Sequence, residues 1–164
     1  MTENNVPVFK HGITEEDLVD VYEIAGSSGF FSKDETMLVD EVAREAIQKG
    51  ELMSGYSFIF CTIDGRKAGF ACYGLIPCTD ERYRIYWLAV DNRLRRGGVG
   101  TSLIKEVEKT IVSKGGKRVY LETSMRPQYQ PTNDFYRKCG YIAEAKLENF
   151  YFDGDGMVVY VKIL

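Results

Sequence analysis

The chain has 164 residues, enough for one domain with a buried core, and its net charge of −3 gives it no global basic field. Binding to a nucleic-acid backbone would therefore have to rest on a local patch. The single histidine, His11, argues against a His-rich metal site or a catalytic triad, and the four cysteines have no C-x-x-C spacing.

No apolar run approaches the length of a membrane span, and the polar opening MTENN lacks the features of a signal peptide. These readings predict a cytoplasmic protein that does not engage a membrane, with reduced and mostly buried thiols. There are no repeats or Pro/Gly-rich linkers, so residues 1–164 read as a single domain.

"VPVFKHG" is a candidate first strand. Thr14-Glu15-Glu16-Asp17 has capping-box form, and Leu18, Val21, Tyr22 and Ala25 follow at helical spacing until Ser27-Ser28-Gly29 breaks the helix. Ser32 with Glu35 makes a second capping box. It opens a helix carrying Leu38, Val42 and Ala46 on one face, and Gly50 ends it. The period then changes. "YSFIFCTI", Asp64-Gly65 and "KAGFACYGLI" read as a hairpin with a D-G turn, and "YRIYWLAV" is a third strand.

After a glycine segment, Val99, Leu103, Val107 and Ile111 recur every fourth residue as the buried stripe of a helix that stops at Gly115-Gly116. "KRVYLETS" is a short strand, and a helix over roughly 132–138 ends at Gly140, with Thr132 as its N-cap. "YIAEAKL" and "MVVYVKIL" flank a turn at Asp153-Gly154-Asp155-Gly156. That turn lacks the further ligands of a calcium loop. Strands surrounding one strand-helix-strand unit predict an α/β domain with a mixed, mainly antiparallel sheet flanked by helices.

The segment "RLRRGGVGTSL" carries the most information. A strand, a glycine-rich turn and a helix start form an arrangement suited to phosphate. The first helix N–H groups lack intrahelical partners, the dipole favours an anion, and glycines let the backbone approach closely. Arg93, Arg95 and Arg96 add charge suited to phosphate oxygens. No lysine follows in P-loop register, and Leu103 stands where a dinucleotide fingerprint needs its last glycine. A structural turn with solvated arginines is the competing reading.

Arg95-x-x-Gly98-x-Gly100 fits the form Q/R-x-x-G-x-G/A, and so resembles the pyrophosphate loop of the GNAT superfamily of N-acetyltransferases. "LAV" (Leu88-Ala89-Val90) before the loop and "FYRKCGY", with Tyr136, Gly140 and Tyr141, extend that resemblance, which is sharpest over residues 84–142. It implies a sheet whose central parallel strands splay apart and an enzyme that takes acetyl-CoA as co-substrate, with no metal. The acetyl group would pass to a primary amine by direct attack in a ternary complex.

The same resemblance implies roles for particular residues. Leu88, Ala89 and Val90 would lend backbone groups to the pantetheine arm. Arg95, Arg96, Gly97, Gly98, Val99, Gly100 and Thr101 would hold the pyrophosphate. Tyr136 matches the family tyrosine that faces the coenzyme sulfur as general acid. Glu122, on the "VYLETS" strand, is the candidate general base. The competing readings are a core aromatic for Tyr136 and a solvated or salt-bridged carboxylate for Glu122.

The sequence departs from the family at the position of a coenzyme-binding asparagine, which is Tyr129 here, and at a following alanine, which is Thr132; Asn133 lies out of register. "GSSGFFSKDE" is a candidate lid in which Phe30 and Phe31 are expected to pack as core residues. Glu15-Glu16-Asp17 reads as a solvated acidic face. The acceptor is a small-molecule amine or a protein amine; no nucleic-acid or membrane partner is expected, and a homodimer is compatible with the family. The rival function is a non-catalytic acyl-CoA-binding sensor or regulatory module on the same fold.

Overall fold

Two stop signals and one change of hydrophobic period divide the chain much as expected. The computed structural model describes residues 6–164; the opening MTENN, on which the expectation of no leader rested, lies outside them. The elements are β1 (Val8–His11), a 3-10 turn (Glu15–Asp17), α1 (Leu18–Ser27), α2 (Lys33–Ser54), β2 (Ser57–Ile63), β3 (Arg66–Leu75) and β4 (Arg82–Val90). Then follow α3 (Val99–Ser113), β5 (Arg118–Ser124), α4 (Gln130–Lys138), β6 (Ile142–Phe152) and β7 (Asp155–Ile163).

The strands form a seven-stranded mixed sheet in the order β1-β2-β3-β4-β5-β7-β6. β1–β2, β2–β3, β5–β7 and β6–β7 run antiparallel, and β4–β5 run parallel. The parallel ladder covers three pairs, Arg82↔Arg118 to Arg84↔Tyr120, and ends there. One compact unit comprises the described residues up to Gly74 with Trp87–Thr110. The other comprises Leu75–Tyr86 and Ile111–Leu164.

In the first unit, β2 and β3 are buried along most of their length, the mark of strands covered on both faces. Phe58, Phe60 and Phe70 meet with ring centroids 6.1–6.3 Å apart. Asp64 and Gly65 both take positive φ, as a tight two-residue hairpin turn requires. The buried stripe of α1 is Leu18, Val21, Ile24 and Ala25, and that of α2 is Thr36, Val39, Val42, Ala43 and Ala46. Tyr22 and Leu38, expected on those stripes, are instead 52% and 49% exposed, because each stripe centres one position away from them. Gly50 breaks the helical dihedrals of α2, as expected, yet one more turn runs on to Ser54.

The acidic run also departs from its expectation. Asp17 is 1% exposed, so it is not part of a solvated face. Its carboxylate accepts from Lys10 Nζ (2.6 Å), Lys67 Nζ (2.5 Å) and both the N–H and hydroxyl of Thr14 (2.7 and 2.9 Å). Burial alone would raise its pKa. The two ammonium groups and the Thr14 donors outweigh that and hold it far below the usual carboxylate range. One side chain thereby ties β1, α1 and β3 together.

In the second unit, β7 is buried through Asp155–Val158 and again at Tyr160 and Val161, and β5 alternates about buried Val119 and Leu121. α4 begins at Gln130, directly after a 3-10 turn over Pro127–Tyr129, and its N-cap position is Tyr129. Thr132 is therefore inside the first turn and does not cap the helix. Pro131 explains the shift, since its fixed φ suits the first helical positions. Asp155 opens β7 rather than lying in the turn. It is buried, accepts Ser124 Oγ at 2.5 Å and pairs with Arg126 Nε at 3.1 Å. Every residue of β6 is exposed, and two register irregularities interrupt it, a pattern that blunts an edge strand.

Candidate active site

The glycine segment begins with a helix-like cap. The buried carboxylate of Asp91 accepts the Arg93 N–H at 2.9 Å and grips its guanidinium through Nε (3.0 Å) and Nη2 (2.6 Å). The Arg93 guanidinium lowers the Asp91 pKa against the opposing effect of burial. Arg93 is thus paired with its neighbour along one edge of its guanidinium, while its side chain stays exposed. Arg95 is half-buried, with Cζ 4.6 Å from the centroid of the Phe30 ring. Phe30 and Phe31 are both half-exposed, so the pair is not core.

Beyond Arg95 the backbone turns twice into the left-handed region, at Arg96 (φ 66°) and Gly98 (φ 79°). A side chain at Gly98 would have open space, so the glycine serves the dihedral and not a close contact. Ser102 N–H closes the first turn of α3 on the Gly98 carbonyl at 2.9 Å. The N–H groups of Val99, Gly100 and Thr101 precede that bond and have no acceptor within the helix. Gly97, Gly98 and Thr101 are exposed, while buried Val99, Leu103, Ile104 and Val107 anchor the helix behind them. Each such side chain contributes about 1.5–3 kcal/mol on burial. The result is a concave row of backbone donors on a fixed base, chemically suited to a diphosphate.

The strand leading into this loop is set by a residue the sequence reading missed. A Cβ on Gly69 of β3 would lie 2.6 Å from the Ala89 carbonyl oxygen and 3.4 Å from Val90 Cα. Asp91 N–H bonds the Ala68 carbonyl at 2.8 Å. The end of β4 is thus held close against β3 at Ala89 and Asp91. An isolated glycine within an apolar strand was the available signal.

Tyr136 lies on α4 and is buried. Its ring meets Phe135, Tyr141 and Tyr160 with centroids 5.3, 6.0 and 5.9 Å away. Burial raises its pKa above that of an ordinary phenol. Asn133, set aside as out of register, is the buried residue that organises this region. Its amide donates to the Ser124 carbonyl (3.1 Å) and the Tyr129 carbonyl (2.9 Å), and its oxygen accepts from the Tyr160 hydroxyl (2.8 Å). Glu122 stands on β5 with Oε1 3.1 Å from Arg84 Nη2, both groups partly exposed. Among the described residues no group of His, Cys, Asp and Glu could hold a metal. No described helix is long and apolar enough to cross a membrane.

The profile described as "Acetyltransferase (GNAT) family" matches residues 18–141, and the chain belongs to that family. Among solved structures, one assigned to the GNAT acetyltransferases from Desulfovibrio desulfuricans superposes with a TM-score of 0.93 at 35% identity, covering 96% of this chain and 99% of that one. The ribosomal-protein-S18-alanine N-acetyltransferase of Escherichia coli shares the fold, with a TM-score of 0.75 at 18% identity over 96% of this chain and 94% of its own. Human N-alpha-acetyltransferase 30 is 29% identical over 93 residues. That match spans 52% of this chain and only a quarter (25%) of the human protein's length.

Proposed function

We propose that the protein is an acetyl-CoA-dependent N-acetyltransferase in which a primary amine attacks the thioester directly. The observation that carries this reading is the start of α3, where unused helix N–H groups adjoin two left-handed residues and the Arg95 guanidinium, in a chain of the GNAT family. In two solved structures that share the fold, an aminoglycoside 6'-N-acetyltransferase and the PaiA acetyltransferase of Thermoplasma acidophilum, coenzyme A is bound.

The coenzyme supplies an acyl group on a thiol leaving group. The N–H groups of residues 96–101 hold its pyrophosphate, and Arg95 and Arg96 balance the charge. Leu88, Ala89 and Val90 offer backbone groups to the pantetheine arm. The C–N bond forms as the C–S bond breaks, and the amine proton passes to Glu122, directly or through water.

In this reading Tyr136 serves the coenzyme sulfur, the role the family resemblance implies. A free thiol has a pKa of about 8.5, below that of an ordinary phenol at about 10, and burial lifts Tyr136 further. Its phenol therefore keeps its proton at neutral pH and stabilises the departing thiolate as a hydrogen-bond donor, with solvent completing protonation. This narrows the general-acid role implied by the family resemblance to that of a donor.

The match to an N-alpha-acetyltransferase supports the α-amine of a polypeptide as the first acceptor to try. The test is release of free coenzyme A thiol from acetyl-CoA in the presence of a panel of N-terminal peptides, lysine peptides and small amines, with product masses measured. A mass gain of one acetyl group on an amine supports the reading. Tight coenzyme binding with no turnover on any amine would assign the fold to an acyl-CoA-binding module instead.

A further inference from the structure

Two contacts join the end of α1 and the segment that follows it to the glycine segment and the turn before it. Asn92 N–H bonds Ser27 Oγ at 3.4 Å, and the Arg95 guanidinium lies over the Phe30 ring at 4.6 Å. Phe30 is itself held at its backbone. Its N–H bonds Ser28 Oγ at 3.3 Å, and the buried Ser28 hydroxyl in turn donates to the Ala25 carbonyl at 2.8 Å, on the last turn of α1. The ring's position thus descends from the C-terminus of a packed helix.

The chemistry of the stack matters as much as its place. A guanidinium presents a flat face and an edge of five N–H donors, and stacking on an aromatic ring occupies the face alone. The donor edge stays available to phosphate oxygens. A long arginine side chain free in solvent must lose its rotamer freedom when it meets a ligand, whereas one already seated on a ring has lost much of it beforehand. Arg96, the other cation at the loop, is exposed and has no such seat among the described aromatic contacts.

We propose that Phe30 is a positioning residue for the coenzyme: its ring seats Arg95 for a phosphate of coenzyme A, coupling the α1–α2 segment to the glycine loop. This rests on the acetyl-CoA reading above. The coupling is reciprocal, so coenzyme bound at the loop also orders residues 27–31.

The test is calorimetric titration of coenzyme A into wild type, Phe30→Leu, Phe30→Tyr, Arg95→Gln and the Phe30→Leu/Arg95→Gln double variant, each checked for folding by thermal melting. Leucine keeps apolar bulk and loses the ring face, while tyrosine keeps both. Phe30→Leu is expected to weaken binding about threefold to tenfold. Phe30→Tyr restores it, and Phe30→Leu adds no loss once Arg95 is glutamine. Coenzyme A slows amide hydrogen exchange over residues 27–31 in wild type and not in Phe30→Leu.

Leucine binding as well as phenylalanine, tyrosine failing to rescue, or fully additive losses would each overturn the proposal while leaving the acetyl-CoA reading intact. Wild type failing to bind coenzyme A would overturn both. Should Phe30→Leu unfold below assay temperature, Arg95→Lys keeps the charge and removes the planar stack. The same weakening is then expected, and unchanged affinity contradicts the proposal.

Discussion

The unit bearing the glycine loop and the unit bearing Tyr136 are each stabilised internally by different forces. In the first, the decisive features are backbone dihedrals at Arg96 and Gly98, a bare Gly69 against the Ala89 carbonyl, and an ionic knot at Asp17. In the second, they are side chains: a cluster of aromatic rings around Tyr136 and the Asn133 amide that reaches Ser124, Tyr129 and Tyr160. A site that holds a diphosphate needs many donors in a fixed curve, which backbone supplies independently of side chains. A site that meets one sulfur atom needs a single hydroxyl held still, which packing supplies. The two constructions should fail in different ways when mutated.

The largest expected effect is on stability in the first unit. Asp17→Asn removes the buried carboxylate that Lys10 and Lys67 share, leaving Lys67 only Asp20 at 2.6 Å, and should cost about 3 kcal/mol at neutral pH, read by chemical denaturation. Asp17 has a folded-state pKa below its unfolded value of about 3.9, so its contribution is present above that pH and lost as pH falls through and below it. The gap between wild type and variant should therefore narrow below about pH 4. A gap independent of pH would contradict the ionic account.

The corresponding change in the second unit is Tyr136→Phe, which keeps the packed ring and removes the hydroxyl. Turnover should fall about a hundredfold with the melting temperature and coenzyme affinity nearly unchanged. Because burial raises the Tyr136 pKa, and the group acts while protonated, wild-type activity should show no loss from this tyrosine up to about pH 10. A large drop in stability without a kinetic change would reduce Tyr136 to a core aromatic.

Gly69→Ala follows, at about 1–3 kcal/mol of destabilisation, because the added methyl meets a backbone carbonyl that cannot swing aside. Coenzyme affinity should fall with it, since the same contact sets the strand that leads into the loop. The smallest structural effect belongs to Glu122→Gln: the Arg84 pair is partly exposed and contributes under about 1 kcal/mol. Amine turnover should nonetheless drop at least tenfold if Glu122 is the base. Turnover within twofold of wild type would leave it as an ion pair only.

The contrast between the units also explains what the sequence revealed. Caps, turns and the stripe of α3 were legible because they depend on residues a few positions apart: Ser32 with Glu35, Asp64-Gly65, and Val99, Leu103, Val107 and Ile111. The element order, the mixed sheet and the loop register followed from them. Less legible was everything decided by a partner distant in sequence or by competition among neighbours. Nothing local marks Asp17 as buried beside Lys67, or Asp155 beside Arg126. Arg93 reads as an unpaired cation until Asp91 pairs with it, and Thr132 reads as a cap until Pro131 starts the helix earlier. Asn133 was noticed and passed over because only the fold brings Tyr160 to it.

The central claim is that the glycine loop binds the diphosphate of a coenzyme. Its most direct test is the heat of acetyl-CoA binding to the purified protein, run beside desulfo-coenzyme A and beside the Gly98→Val/Gly100→Val variant. A valine at Gly98 must adopt a left-handed conformation costing about 1–3 kcal/mol, which shifts the backbone donors from their present curve. The account predicts that both coenzymes bind the wild type and that the folded variant loses at least tenfold in affinity. Wild type that binds neither coenzyme, or a variant that binds both as well as wild type, would contradict it.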